Sequence, residues 1–121
     1  MTLAEHIKKS HPLVDNKGLF QDILYGVHLI HSQGFAHSDL KPTNILISET
    51  GHPKIADFGL ATRKKSYAGF GTFAYAAPEV FDRTKESMTD YKLADVWSLG
   101  MIYYFMITGR PPYTIAELMA S

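Results

Sequence analysis

The sequence predicts a mainly helical α+β fold, in which helices surround one small hairpin. Three observations predict it. Leu19, Phe20, Ile23, Leu24, Val27, Ile30 and His31 recur at helical spacing. A later stretch, residues 93–107, is apolar nearly all round. Only Ile45-Leu46-Ile47 and Lys54-Ile55-Ala56 read as strands, and two short strands cannot make a sheet-based domain by themselves.

The elements follow in order. Thr2-Leu3-Ala4-Glu5 is a capping-box pattern, so a short helix starts at the second residue, and His11-Pro12 ends it. The first long helix runs from near Asn16 to Ser32, with Gly34 as its stop. Gly26 inside it weakens the helix by about 1 kcal/mol against alanine, which points to a close packing contact there. A polar loop over residues 36–43 leads to the first strand. Glu49-Thr50-Gly51-His52-Pro53 turns the chain into the second. Residues 57–77 hold three glycines and no period, so they read as an irregular loop, and long loops in compact domains are usually functional. Pro78 opens a short helix. The second long helix, 93–107, is expected at the centre of the core, with Trp97, Tyr103, Tyr104, Phe105 and Met106 as core residues. Gly109 stops it, Pro111-Pro112 bars continuation, and residues 114–120 begin another helix.

Composition narrows the function. The chain has 121 residues, enough for one modest domain. Twelve basic and 12 acidic side chains balance, so no basic tail suggests nucleic acid. At 45% hydrophobic and 20% charged the chain is globular. Zero cysteine rules out disulfides, thiolate metal sites and thiol catalysis, and suits a reducing compartment, cytoplasm or nucleus. The first residues carry no apolar signal segment, and the most apolar window, 96–107, is shorter than the roughly 18 residues a membrane span needs. The expectation is no nucleic acid and no membrane.

Chemistry concentrates in three segments: His37-Ser38-Asp39-Leu40-Lys41-Pro42-Thr43-Asn44, Asp57-Phe58-Gly59 and Ala77-Pro78-Glu79. Taken alone, Asp39 and Asn44 read as loop residues bonding their own backbone. Taken in order, the segments resemble the eukaryotic protein kinase family of Ser/Thr type. Asp57 lies 18 residues beyond Asp39, across the hairpin. Gly71-Thr72 precedes Ala77-Pro78-Glu79 as in Ser/Thr kinases. Asp95-Val96-Trp97-Ser98-Leu99-Gly100 resembles the start of the family's central helix, and Thr108-Gly109-Arg110-Pro111-Pro112-Tyr113 its exit.

The resemblance implies that residues 1–121 are a partial kinase domain. It would be a C-lobe with catalytic loop 37–44, activation segment 57–79 and a central helix over about 93–107, the N-lobe being absent. No Gly-rich loop, phosphate-binding strand lysine or partner glutamate helix is found. The implied activity is transfer of the γ-phosphate of ATP to protein Ser/Thr hydroxyls, with magnesium as cofactor. The implied catalytic residues are Asp39, Lys41, Asn44 and Thr72. ATP would meet Lys41, Asn44, Leu46 and Asp57, and Asn44 and Asp57 would hold the metal, because magnesium takes hard oxygen ligands. Asp39 is free to accept the substrate hydroxyl proton, and Lys41 places a point charge near the transferring phosphate.

Other residues carry plainer expectations. His37 reads as a buried imidazole bonding backbone. His28 and His31, spaced i,i+3, read as core or surface rather than metal ligands. Asp95 is expected to hydrogen-bond the catalytic loop's backbone, as its family counterpart does; a helix N-cap is the plainer role, and both can hold. Arg63-Lys64-Lys65 reads as a solvated face. Glu79 has no arginine on a later helix to pair with. Ser38 stands where most kinases have arginine, so control by phosphorylation at Thr62, Ser66 or Tyr67 is expected to be weak. A second functional reading is a truncated, non-catalytic kinase-like binding module whose exposed apolar surface meets the missing N-lobe or a partner protein. By itself the chain is expected to be inactive and to bind Mg-ATP poorly. A small-molecule phosphotransferase is a third reading, disfavoured by the peptide-binding element at Gly71-Thr72 and Ala77-Pro78-Glu79.

Overall fold

A computed structural model of the chain describes residues 1–10, 16–56, 75 and 90–112. The order is helix α1 (Leu3–Ser10), helix α2 (Asn16–Ser32), a 3-10 turn (Pro42–Asn44), strands β1 (Ile45–Ile47) and β2 (Pro53–Ile55), and helix α3 (Tyr91–Thr108). The mainly helical architecture with one antiparallel hairpin is as the sequence predicts. The segments 57–74, 76–89 and 113–121, with the expected short helix at Pro78 and the helix after Thr114, lie outside the described residues.

Each element forms for a local reason. The capping box of α1 closes both ways: the Glu5 N–H donates to Thr2 Oγ1 at 3.1 Å, and the Thr2 N–H donates to Glu5 Oε1 at 2.9 Å. Those Thr2 contacts hold the Glu5 carboxyl below its ordinary value. Gly34 and Gly109 follow α2 and α3 at positive φ, 87° and 72°, and the Gly109 N–H closes the last turn of α3 on Phe105 O at 2.8 Å. In the hairpin the register is Ile45 opposite Ile55, Leu46 opposite Lys54 and Ile47 opposite Pro53. β2 therefore sits one residue earlier than the sequence reading put it, because Pro53 belongs to the ladder rather than to the turn.

α3 starts at Tyr91, two residues before the expected start, because Asp90 caps it. Asp90 Oδ1 accepts from the Lys92 N–H at 3.0 Å and the Leu93 N–H at 3.5 Å. The alternative that Asp95 caps this helix is thereby corrected: Asp95 lies in its second turn.

The core joins all the elements. Leu3 and Ile7 of α1, Leu19, Ile23 and Val27 of α2, Ile45 and Ile47 of β1, and Leu99, Ile102, Phe105 and Met106 of α3 pack with Leu40 and Tyr75. α2 lies on β2, and a Cβ on Gly26 would stand 3.1 Å from Ile55 Cδ1, the close contact expected of that glycine. α3 departs from its expected place at the centre. Trp97, Tyr103 and Tyr104 are 37%, 40% and 42% exposed, although Phe105 and Met106 are buried. Leu93, Val96, Gly100 and Ile107 lie on the same exposed side. Tyr103 retains one partner, the Phe20 ring of α2, at 4.6 Å between centroids. No helix of the described residues is long and apolar enough to cross a membrane.

Tyr75 supplies a pH dependence. Its residue is buried, its carbonyl accepts from Ser98 Oγ at 2.6 Å, and burial pushes its phenol from the ordinary 10 up to about 12. The folded state holds the phenolic proton more tightly than the unfolded chain. The contribution is fully present below pH 10 and is lost as pH rises toward 12. Stability is expected to fall across this window, and Tyr75→Phe to flatten the fall, in denaturant melts taken at successive pH values.

Candidate active site

The polar loop between α2 and β1 is fixed from below by one carboxylate. Asp95, only 1% exposed, accepts three N–H groups. Its Oδ2 takes the His37 main-chain N–H at 2.8 Å and the His31 Nε2–H at 2.8 Å, and its Oδ1 takes the Ser38 main-chain N–H at 3.0 Å. A buried carboxylate is tolerable only when its lone pairs are filled in this way. Of the two expectations for Asp95, the structure shows the bond to the loop backbone. His31, expected to be a core or surface residue rather than a metal ligand, is part-buried and is the third donor on this carboxylate.

His37 ties the loop to the hairpin. Its imidazole is fully buried; Nε2 donates to Ala56 O at 2.7 Å, and Nδ1 accepts the Asp39 N–H at 3.2 Å. A carbonyl needs a donor and an amide needs an acceptor, so these contacts fix the Nε2–H tautomer. His37 is the backbone-bonding imidazole the sequence suggests, and it reaches the residue just before Asp57.

Three of the predicted site residues converge. Asn44 is buried and closes the 3-10 turn, its N–H donating to Lys41 O at 2.9 Å. Its side-chain Nδ2 donates to Asp39 O at 2.8 Å and lies 3.4 Å from Asp39 Oδ2. Lys41 Nζ lies 3.5 Å from the same Oδ2. That pair is partly exposed, and such pairs are worth at most about 1 kcal/mol, so it orients more than it stabilises. With Nδ2 spent on the loop carbonyl, Asn44 Oδ1 is the atom left to meet a hard cation. Asn44 O accepts the Ala56 N–H at 2.8 Å, so the chain reaches Asp57 from a fixed point. Leu46 stands on β1 between two buried isoleucines, with its own side chain 40% exposed, and pairs with Thr2 in an isolated bridge. Asp57 and Thr72 lie outside the described residues, as do Glu79, the basic run at Arg63 and the three loop hydroxyls.

Ser38 carries a cost that no sequence pattern reveals. Its φ is 78°, the left-handed region that side chains other than glycine rarely adopt, and its buried hydroxyl has no hydrogen-bond partner. Ser38→Gly removes both penalties, each worth about 1 kcal/mol or more, against a glycine entropy cost of about 0.5–1 kcal/mol. The variant is expected to be more stable by about 1 kcal/mol, read as a higher denaturant midpoint at unchanged slope. A lower midpoint would show that the hydroxyl is satisfied in solution.

The model of the protein kinase domain matches residues 2–120. The chain belongs to the protein kinase family. It is 39% identical over 123 residues to sperm motility kinase 3A of Mus musculus, covering 97% of this chain and 24% of that protein. It is 43% identical over 100 residues to mitogen-activated protein kinase kinase kinase 17 of Arabidopsis thaliana, covering 80% and 26%. A putative ribosomal protein S6 kinase alpha-1 of Caenorhabditis elegans is 40% identical over 104 residues, covering 82% and 13%. The kinase chain thus spans about a quarter or less of these curated relatives. The helical lobe with its two-stranded sheet is consistent with part of a kinase C-lobe.

Two features of the structure escaped sequence reasoning. The His31–Asp95 contact joins residues 64 apart, beyond any local pattern. The exposure of α3 had a signal: residues 93, 96, 97, 100, 103, 104 and 107 share a face at helical spacing, although spacing does not say which face is covered.

Proposed function

We propose that the chain carries the catalytic loop of a protein serine/threonine kinase, which transfers the γ-phosphate of ATP to protein hydroxyls. The observation that carries this reading is the convergence of Lys41 Nζ and Asn44 Nδ2 on Asp39 Oδ2, at 3.5 Å and 3.4 Å. The arrangement aims an acceptor carboxylate and holds a cation beside it. In this reading Asp39 receives the proton of the acceptor hydroxyl. Lys41 neutralises charge on the transferring phosphoryl group. Asn44 Oδ1, with Asp57 from the following segment, would hold magnesium, whose preference for hard oxygens fits both. The bound metal would offset charge on the nucleotide phosphates. Leu46, exposed on β1, offers an apolar rest for the adenine. Thr72 beside Lys41 would narrow the acceptor site toward Ser and Thr. Zero cysteine suits action in the cytoplasm or nucleus.

A second reading, a kinase-derived binding module, is supported by the exposed apolar side of α3, with Trp97, Tyr103 and Tyr104 on it. One experiment separates the two. A form of the protein that includes an N-lobe is incubated with Mg-ATP and mixed Ser, Thr and Tyr peptides, and the phosphoamino acids are resolved. Phosphoserine or phosphothreonine is expected. Mainly phosphotyrosine would overturn the specificity, and no label at all would favour the binding module. The 121-residue chain in the same assay is expected to give almost no product, because each missing phosphate clamp costs rate directly.

A further inference from the structure

One buried hydroxyl of α3 does not serve the helix that carries it. Between Asp95 and Thr108 the helix has a single aliphatic hydroxyl, that of Ser98, which is 6% exposed. A serine inside a helix commonly turns its hydroxyl to solvent or back to the carbonyl four residues earlier. Burial closes the first route. The second is poor here, because Ala94 O stands 3.2 Å away, beyond the roughly 2.5–3.0 Å of a hydroxyl bond. Tyr75 O lies at 2.6 Å. A hydroxyl has one proton to give, and the tyrosine carbonyl takes it. The Tyr75 ring belongs to the same buried cluster as Leu99 and Ile102, so this residue is held by ring and main chain together.

The place of Ser98 on α3 gives the bond its meaning. Ser98 follows Asp95 by three residues, so the two side chains are neighbours on one face. Asp95 holds the main-chain N–H groups of His37 and Ser38, directly before Asp39. Ser98 holds Tyr75, three residues after Thr72 in the chain. Two adjacent side chains of one helix thus grip two stretches far apart in sequence. A helix turn is rigid, so the spacing of Asp95 and Ser98 sets the spacing of what they grip.

We propose that Ser98 is a positioning residue for the phosphoryl acceptor. By holding Tyr75 O beside the loop that Asp95 holds, it sets where the hydroxyl of a protein substrate stands relative to Asp39. The role rests on the serine/threonine kinase reading. Asp95 aims the base, and Ser98 aims the acceptor side. The groups assigned to ATP lie on the catalytic loop and β1, which Asp95 and the hairpin hold without Ser98. A misplacement of about 1 Å can cost roughly 10²-fold in rate, so losing the bond falls on transfer to the substrate.

The test uses a form that includes an N-lobe, with Mg-ATP and a serine peptide. Water competes with the peptide for the γ-phosphoryl group, so phosphopeptide and inorganic phosphate are measured together. Ser98→Ala is expected to lower kcat/KM for the peptide, and the ratio of phosphopeptide to phosphate, by about tenfold or more. The KM for ATP should stay within about twofold. Ser98→Thr and Ser98→Val add the same bulk, but only threonine keeps the hydroxyl, so the threonine variant should give a ratio at least about fivefold higher than the valine variant. A lesion that merely loosens the fold lowers transfer and hydrolysis together. An unchanged ratio in Ser98→Ala, or equal ratios in the threonine and valine variants, would therefore overturn the proposal. A parent protein that labels no peptide fails at an earlier point, and it would overturn the kinase reading and this role with it.

Discussion

In a form of the protein that includes an N-lobe, Asp39→Asn should lower turnover about 10²- to 10⁴-fold, the range for loss of a positioned general base. The substitution is nearly isosteric, so it separates chemistry from folding. The amide keeps the side chain's size, and the main-chain Asp39 O can still accept from Asn44 Nδ2. What goes is the charge that holds Lys41 Nζ at 3.5 Å and, in the function proposed above, the acceptor for the hydroxyl proton. The nucleotide KM should change much less than kcat, because Asp39 is assigned to the acceptor and not to ATP. An Asp39→Asn protein that folds normally and turns over at a tenth or more of the parent rate would remove Asp39 from the role of base.

Asp95→Ala is the second large effect, and it acts on folding first. The carboxylate satisfies the main-chain N–H of His37 and Ser38 and the imidazole of His31. Removing it strands two buried amide donors, each costing about 1–3 kcal/mol. A total loss of about 3–5 kcal/mol is expected, as for breaking a buried charged network, against a total stability of about 5–15 kcal/mol for ordinary domains. Ser38 adds to the loss, because its φ of 78° persists only while its N–H is held. The check is a denaturant midpoint. Asp95→Asn, which keeps one acceptor oxygen, should fall between the parent and Asp95→Ala.

How far the sequence carried the fold depends on the range of the contacts involved. α1 and α2 were legible because a capping box and a 3.6-residue period are written within a few residues of each other. The hairpin was legible because two short apolar runs flank Thr50-Gly51. The start of α3 was missed at Asp90, although an aspartate before an apolar run is itself a start signal; the reading waited for the first aliphatic residue, Leu93. Its exposed face was missed because an all-apolar helix gives no contrast between sides. In the site, Asp39, Lys41 and Asn44 lie within six positions, so their meeting was foreseeable from the loop alone. His31 was not. Its partner is reached only when α2 and α3 are packed, and a lone histidine on an apolar face has blander explanations.

The Asp95 contacts also bear on the order in which the chain folds. They bridge 57, 58 and 64 residues, whereas the hairpin closes over a handful and α2 over four at a time. Long-range pairs must overcome loop-closure entropy before they return anything. Helix α2 and the hairpin can therefore form early, on local contacts, while the segment from His37 to Asp39 takes its final shape only as α3 docks. Mutations at Asp95 should then speed unfolding and leave the folding rate nearly unchanged, the kinetic signature of an interaction absent from the transition state. A chain emerging residue by residue from the ribosome would carry an unformed loop at residues 37–39 until the last quarter of this sequence had been made.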